Sequence, residues 1–64
     1  MNRPVCKLIG EDGNIFNLIG IASRTLKDNG LPDQAEEMRK RIMGGETQSY
    51  DEELRIIMEY VEVE

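Results

Sequence analysis

The chain has a single cysteine, Cys6, and no histidine, which limits how so short a sequence can be stabilised. One thiol cannot form a disulfide within the chain. Without a second thiol or an imidazole, the chain also lacks the ligands that usually hold structural zinc. A domain of 64 residues buries only about 60% of the surface that its unfolded chain exposes. We therefore expect one small domain, residues 1–64, held together by its apolar core, with no metal and no cofactor.

Negative charge is concentrated at the C-terminal end of the sequence. Residues 44–64 contain seven acidic residues against Arg55 alone, within a net charge of −5 for the whole chain. Acidity disfavours general affinity for nucleic acid or anionic membranes. No apolar run approaches the roughly 18 residues of a membrane span, and Met1–Pro4 does not begin a signal peptide. With the lone thiol, these features predict a cytoplasmic protein.

The hydrophobic pattern predicts a mainly helical fold: a short N-terminal strand followed by three amphipathic helices. Val5–Ile9 is a β-leaning apolar run that ends at Gly10. Apolar residues then recur at i, i+4, i+7 and i+11, the spacing of one helix face. The helices are expected from about Ile15 to Lys27, from Pro32 to just before Gly44, and from Tyr50 to near Tyr60.

Residues that start and stop helices agree with these boundaries. Asn14 and Ser49 are good N-caps, and Ser49 with Glu52 fits a capping box. Gly30 is suited to the left-handed position after the first helix, and Pro32 to the first turn of the second. Gly20 lies inside the first helix at a cost of up to about 1 kcal/mol against alanine, and would permit close approach of a neighbouring helix.

The helical and strand faces together predict the core. Phe16 is the largest of these side chains, and burial predicts that Phe16→Ala costs about 3–5 kcal/mol. The predicted core residues are Val5, Leu8, Phe16, Ile19, Ala22, Leu26, Leu31, Ala35, Met38, Ile42, Leu54, Ile57, Met58 and Val61.

The predicted strand requires a partner, because a lone strand exposes unpaired backbone groups. Tyr60–Val63 is the other strand-like segment, so the C-terminal tail is expected to pair with Val5–Ile9 within the chain. The alternative is pairing with a second copy in a two-fold homodimer.

Residues with reactive or ligating chemistry do not form a catalytic pattern. Cys6 lies in an apolar run without a histidine partner, which favours a buried inert thiol over a nucleophile. The turn Gly10–Gly13 holds two carboxylates, which repel phosphate, and the apolar residues after it do not fit a calcium loop. The sequence therefore predicts no catalytic residues and a protein that is not an enzyme.

Two segments carry a resemblance to known proteins. Residues 7–14, Lys-Leu-Ile-Gly-Glu-Asp-Gly-Asn, resemble the opening of a family of short uncharacterised bacterial and phage-borne proteins. The ending, Tyr50-Asp51 followed by Leu54 and then Met58 to Val63, is similar to that family's ending. The resemblance implies a fold of this kind and a phage or mobile-element setting. It implies no known activity and transfers no functional residue.

Two functions fit these observations. The first is a small acidic protein-interaction or regulatory accessory module that presents the third helix and tail to a partner through Asp51, Glu52, Glu59 and Glu62. The alternative is a compact nucleic-acid-associated regulator of helix-turn-helix type that uses Arg24, Lys27, Arg39, Lys40 and Arg41. Acidic residues early in the second helix disfavour the alternative. Clustering of the five cations would support it, and scattering would exclude it.

Overall fold

A short strand, three helices and a second short strand follow one another along the chain. The computed structural model describes residues 3–45 and 49–64. In chain order the elements are β1 (Val5–Cys6), α1 (Ile15–Asp28), α2 (Pro32–Met43), α3 (Tyr50–Tyr60) and β2 (Glu62–Val63). This order confirms the predicted mainly helical fold class with a small two-stranded pairing.

The helices begin and end where local side-chain chemistry predicts. The side chain of Asn14 accepts a hydrogen bond from the Phe16 amide at 2.9 Å, and Ser49 Oγ accepts one from the Glu52 amide at 3.2 Å. Gly30 has a φ of +75°, the left-handed conformation that a glycine adopts without strain. These bonds satisfy amide groups in the first turns of α1 and α3, which would otherwise lack partners.

The two strands pair within the chain and run parallel, with Val5 opposite Glu62 and Cys6 opposite Val63. The Glu62 amide donates to the Pro4 carbonyl at 2.8 Å, and the Glu64 amide donates to the Cys6 carbonyl at 2.9 Å. This confirms the expected pairing of the tail with the N-terminal segment. The strand itself is shorter than predicted, since it ends at Cys6. Beyond it, Leu8 and Ile9 still donate to the Glu64 carbonyl.

The core lies between the three helices and the inner side of the strands. Leu26, Met38, Ile57, Val61 and Cys6 are its largest fully buried side chains. Burial is confirmed for nine of the predicted core residues: Leu8, Ile19, Ala22, Leu26, Ala35, Met38, Ile42, Ile57 and Val61. Leu31 and Leu54 are half-buried against this cluster.

Three predicted core residues are instead exposed. Val5 alternates with Cys6 along the strand, and because Cys6 faces inward, Val5 faces out. Met58 lies on the opposite side of α3 from the face that buries Ile56, Ile57 and Tyr60. Phe16, whose side chain is 65% exposed, lies beside the stripe that α1 buries rather than within it.

Candidate interaction surface

The four acidic residues predicted to contact a partner lie on the surface of α3 and β2. Asp51 and Glu52 belong to the first turn of α3, Glu59 to its last turn, and Glu62 to β2. All four are exposed. Within residues 3–45 and 49–64, no group of three or more acidic, thiol or imidazole side chains is arranged to hold a metal ion.

Glu59 is already engaged by the fold. Arg41, near the end of α2, donates to both of its carboxylate oxygens, Nη1 to Oε1 at 3.0 Å and Nη2 to Oε2 at 3.1 Å. The Arg41 guanidinium also donates to the Tyr60 hydroxyl at 3.2 Å and lies 5.7 Å from the centre of that ring. The bonds from Arg41 hold the pKa of Glu59 below its usual value. Glu59 therefore joins α3 to α2 through a bidentate arginine–carboxylate pair, a geometry that adds both strength and specificity.

A second surface lies on the other flank of α2. It is a depression of about 520 Å³ between the first two helices, lined by Phe16, Gly20, Ser23 and Lys27 from α1 and by Arg39 and Met43 from α2. We call it the α1–α2 groove. The α1 residues are spaced i, i+4, i+7 and i+11, so they form one stripe beside the buried face.

A side chain at Gly20 would meet nothing within 4 Å. The expectation that Gly20 permits close approach of a neighbouring helix is wrong, because its position is open.

One end of the α1–α2 groove is apolar. The Asn29–Leu31 turn reverses the chain between α1 and α2, which brings the first turn of α1 beside the last turn of α2. Phe16 and Met43 consequently line the same depression, and they are 65% and 58% exposed. Phe16 is the only phenylalanine of the chain. The fold thus leaves the phenyl ring of Phe16 largely in contact with solvent.

The rest of the groove is basic. Arg24, Lys27 and Arg39 line it, and none of them makes a hydrogen bond or ion pair with any described residue. Lys40 lies on an adjoining depression that also includes Lys27 and Arg39, and it pairs with Glu36 at 3.4 Å in an exposed i,i+4 bridge. Asp28 and Glu36 add two carboxylates to the same area. Four of the five cations considered for nucleic-acid binding therefore lie on neighbouring surfaces, whereas Arg41 is bound to Glu59.

The floor of the groove contains a buried polar atom. Ser23 is 5% exposed, and its hydroxyl has no hydrogen-bond partner among the described residues. The groove is not among the surfaces predicted from the sequence. The available signal was the stripe of Phe16, Gly20, Ser23 and Lys27, in which a glycine and a serine interrupt an otherwise large-residue pattern.

Comparison with known proteins adds no relative: no protein-family model, curated protein or solved structure matches the chain. The resemblance to short bacterial and phage-borne proteins accordingly stays a prediction. None of the helices in the described part of the chain is long and apolar enough to cross a membrane.

Proposed function

We propose that this protein is a small non-catalytic interaction module, a regulatory accessory factor that works by binding another protein. The observation that carries the proposal is the exposure of Phe16 together with Met43 at one end of the α1–α2 groove. Large aromatic side chains are frequent anchors of protein interfaces, because a single ring can bury about 150–250 Å². A partner that covered both residues would gain the apolar burial that folding leaves unused.

The surroundings of Cys6 support a role without catalysis. The thiol is 1% exposed, and the Thr25 hydroxyl lies 3.5 Å from its sulfur. A buried thiol in an apolar setting is a poor nucleophile. Among the described residues, every acidic side chain except that of Glu53 is exposed, which also fits a binding role.

In this proposal the acidic residues of α3 and β2 are additional partner contacts rather than the main anchor. Asp51, Glu52 and Glu62 are exposed and remain predicted partner contacts, while Glu59 would have to exchange its bonds to Arg41 to take part. Charged residues at the rim of an interface mainly affect association rate and specificity. The cytoplasm of a bacterium, with a phage or mobile element as the source of the gene, is the proposed setting, and it rests on the sequence resemblance and the lone thiol.

Affinity capture with matched variants tests the proposal. The parent, Phe16→Ala and Met58→Ala would each be used as bait in extract of the native host, and captured proteins quantified by mass spectrometry. Met58 is the control because it is 50% exposed but lies on α3. We expect a captured protein that Met58→Ala retains and Phe16→Ala loses, with both variants folded by circular dichroism. Equal capture by all three baits would contradict a role for this surface.

A second candidate function, nucleic-acid binding, is favoured by one observation. Arg24, Lys27, Arg39 and Lys40 lie around adjoining depressions, as phosphate-contacting cations would. Asp28, Glu36 and the net charge of −5 oppose it. Fluorescence anisotropy with labelled duplex DNA and single-stranded RNA, at about 50 and 200 mM salt, distinguishes nucleic-acid binding from the protein-interaction function. Binding through several phosphates would weaken steeply over that range, whereas the interaction module would bind neither probe.

A further inference from the structure

We infer that the α1–α2 groove binds an acidic amphipathic helix of a partner protein. This inference rests on the proposed function and names the chemistry of the partner. It combines three observations: the length and openness of the groove, its apolar end, and its basic remainder. Each of them restricts what can occupy it.

The shape of the groove suits a helix. Its α1 side runs from Phe16 to Lys27, which at 1.5 Å per residue corresponds to about 16 Å, or three helical turns. The middle is open because Gly20 has no side chain and nothing lies within 4 Å of where one would be. α3 contacts α2 through Arg41 and Glu59, on the opposite flank from Arg39 and Met43. An added helix would therefore lie against the α1–α2 hairpin without displacing α3.

The charge of the groove specifies the polar side chains of the occupant. Arg24, Lys27 and Arg39 have no ion-pair partner within the described chain, and Lys40 has only an exposed one. Carboxylates on the occupant would pair with these groups. Phe16 and Met43 at the other end would receive its apolar side chains, in the helix-in-groove mode of recognition. A helix that is acidic along one flank and apolar along its contact stripe meets both requirements.

A second copy of this chain fits the groove less well. Its own acidic helix is α3, but α3 buries Ile56, Ile57 and Tyr60 in its own core. It would therefore offer carboxylates without an apolar stripe. Nucleic acid would match the cations, but it has no aliphatic side chains with which to cover Phe16 and Met43 at the apolar end. The occupant is accordingly assigned to a different protein.

Titration with designed peptides tests the inference. The first probe is a fluorescently labelled peptide of about 14 residues, with leucine at helical i, i+4, i+7 and i+11 spacing and glutamate at most other positions. The second has the same composition in a scrambled order, and the third replaces glutamate by lysine. We expect binding of the first peptide alone, weakened by added salt because exposed charge pairs are screened.

Variants locate the peptide and complete the test. Phe16→Ala and Arg39→Glu should each weaken binding by about tenfold or more, the effect of losing an interface anchor. Met43→Ala provides a second apolar variant, and Met58→Ala should bind like the parent. Amide chemical shifts of the parent should change along α1 and α2. Equal binding of the scrambled or lysine peptide, shift changes confined to α3, or an unaffected Phe16→Ala variant would overturn the inference.

The two proposals fail separately. If no acidic peptide binds but capture of a host protein still depends on Phe16, the interaction module stands and the assigned partner chemistry is wrong. If that capture is also independent of Phe16, the proposed function fails as well.

Discussion

Arg41 and Arg39 are two residues apart on α2, yet the protein uses them in opposite ways. Arg41 is bound on three sides, by both oxygens of Glu59 and by the Tyr60 hydroxyl. Arg39 lines an open groove and bonds to no described residue. The apolar residues that follow them on α2 also differ in exposure: Ile42 is 5% exposed, whereas Met43 is 58% exposed.

This contrast separates the side chains that fold the domain from those that remain available. On the flank of α2 that faces α3, charge and aromatic contact hold two helices together. On the other flank, cations and a methionine face solvent beside Phe16. A domain this small needs most of its large apolar side chains to form its core. Residues that contribute little to its stability are therefore the first candidates for its function, and the comparison can be tested by substitution on each side.

The largest loss of stability is expected for Ile57→Ala. Ile57 is fully buried, and truncating a buried isoleucine typically costs about 2–5 kcal/mol. That is a large part of the total stability of a small domain. Urea denaturation followed by circular dichroism measures it. The next residue supplies the control, since Met58→Ala removes a side chain that is 50% exposed and should change stability little. Equal losses at both positions would refute the assigned face of α3.

Deleting residues 62–64 should have the next largest effect. The deletion removes the backbone bonds from Glu62 to Pro4 and from Glu64 to Cys6, and the bonds that Leu8 and Ile9 donate to Glu64. At about 1 kcal/mol net for each bond, offset by the freedom regained by the tail, we expect a loss of about 2–3 kcal/mol. The double substitution Glu62→Ala with Glu64→Ala keeps the backbone and serves as the control. A deletion variant as stable as the parent would show that β2 does not support the fold.

Local signals made much of this fold predictable from the sequence. Asn14 and Ser49 satisfy amides two or three residues away, and Gly30 adopts a positive φ that costs a residue without a side chain little. Such features depend on only a few neighbouring residues, so the sequence contains them in full. Pairing of the tail with the N-terminal strand was also predictable, because the chain has only two strand-like segments.

The α1–α2 groove was harder to predict, because the stripe of small residues on α1 does not by itself show which side of each helix the tertiary neighbours leave uncovered. The helical period identifies a stripe on each helix, but the edge of that stripe is decided by tertiary neighbours. Phe16 lies about 100° around α1 from Ile15, a position at the edge of the stripe. Met58 was misplaced for a related reason. The pattern of α3 predicts a face through Leu54 and Ile57, whereas its tertiary neighbours bury Ile56, Ile57 and Tyr60 and leave Met58 exposed.

A smaller effect, dependent on pH, is expected on the flank that faces α3. Because Arg41 lowers the pKa of folded Glu59, the ion pair stabilises the protein above the usual glutamate pKa of about 4.3. That contribution should be lost as pH falls from about 4.3 through the lowered pKa of the folded state. Glu59→Gln should therefore melt below the parent at neutral pH, and the gap should close in acid. In an Arg41→Leu background Glu59→Gln should make no difference, and a gap that persists there would exclude the ion pair as its source.

Phe16→Ala should have the smallest effect on stability and the clearest effect on binding. A side chain that is 65% exposed buries only about a third of its surface, roughly 70 Å², and alanine is the better helix former. We expect a loss of about 1 kcal/mol or less, instead of the 3–5 kcal/mol that a buried phenylalanine would give. Ile19→Ala, on the same helix but 5% exposed, is the matched control and should cost at least about twice as much. Thermal and urea melts of the three proteins give the stability order.

If Phe16→Ala were as damaging as Ile19→Ala, the ring would belong to the core, and the contrast between the two flanks of α2 would fail. If it melts near the parent yet loses its partner, a residue that contributes little to folding is one that function requires.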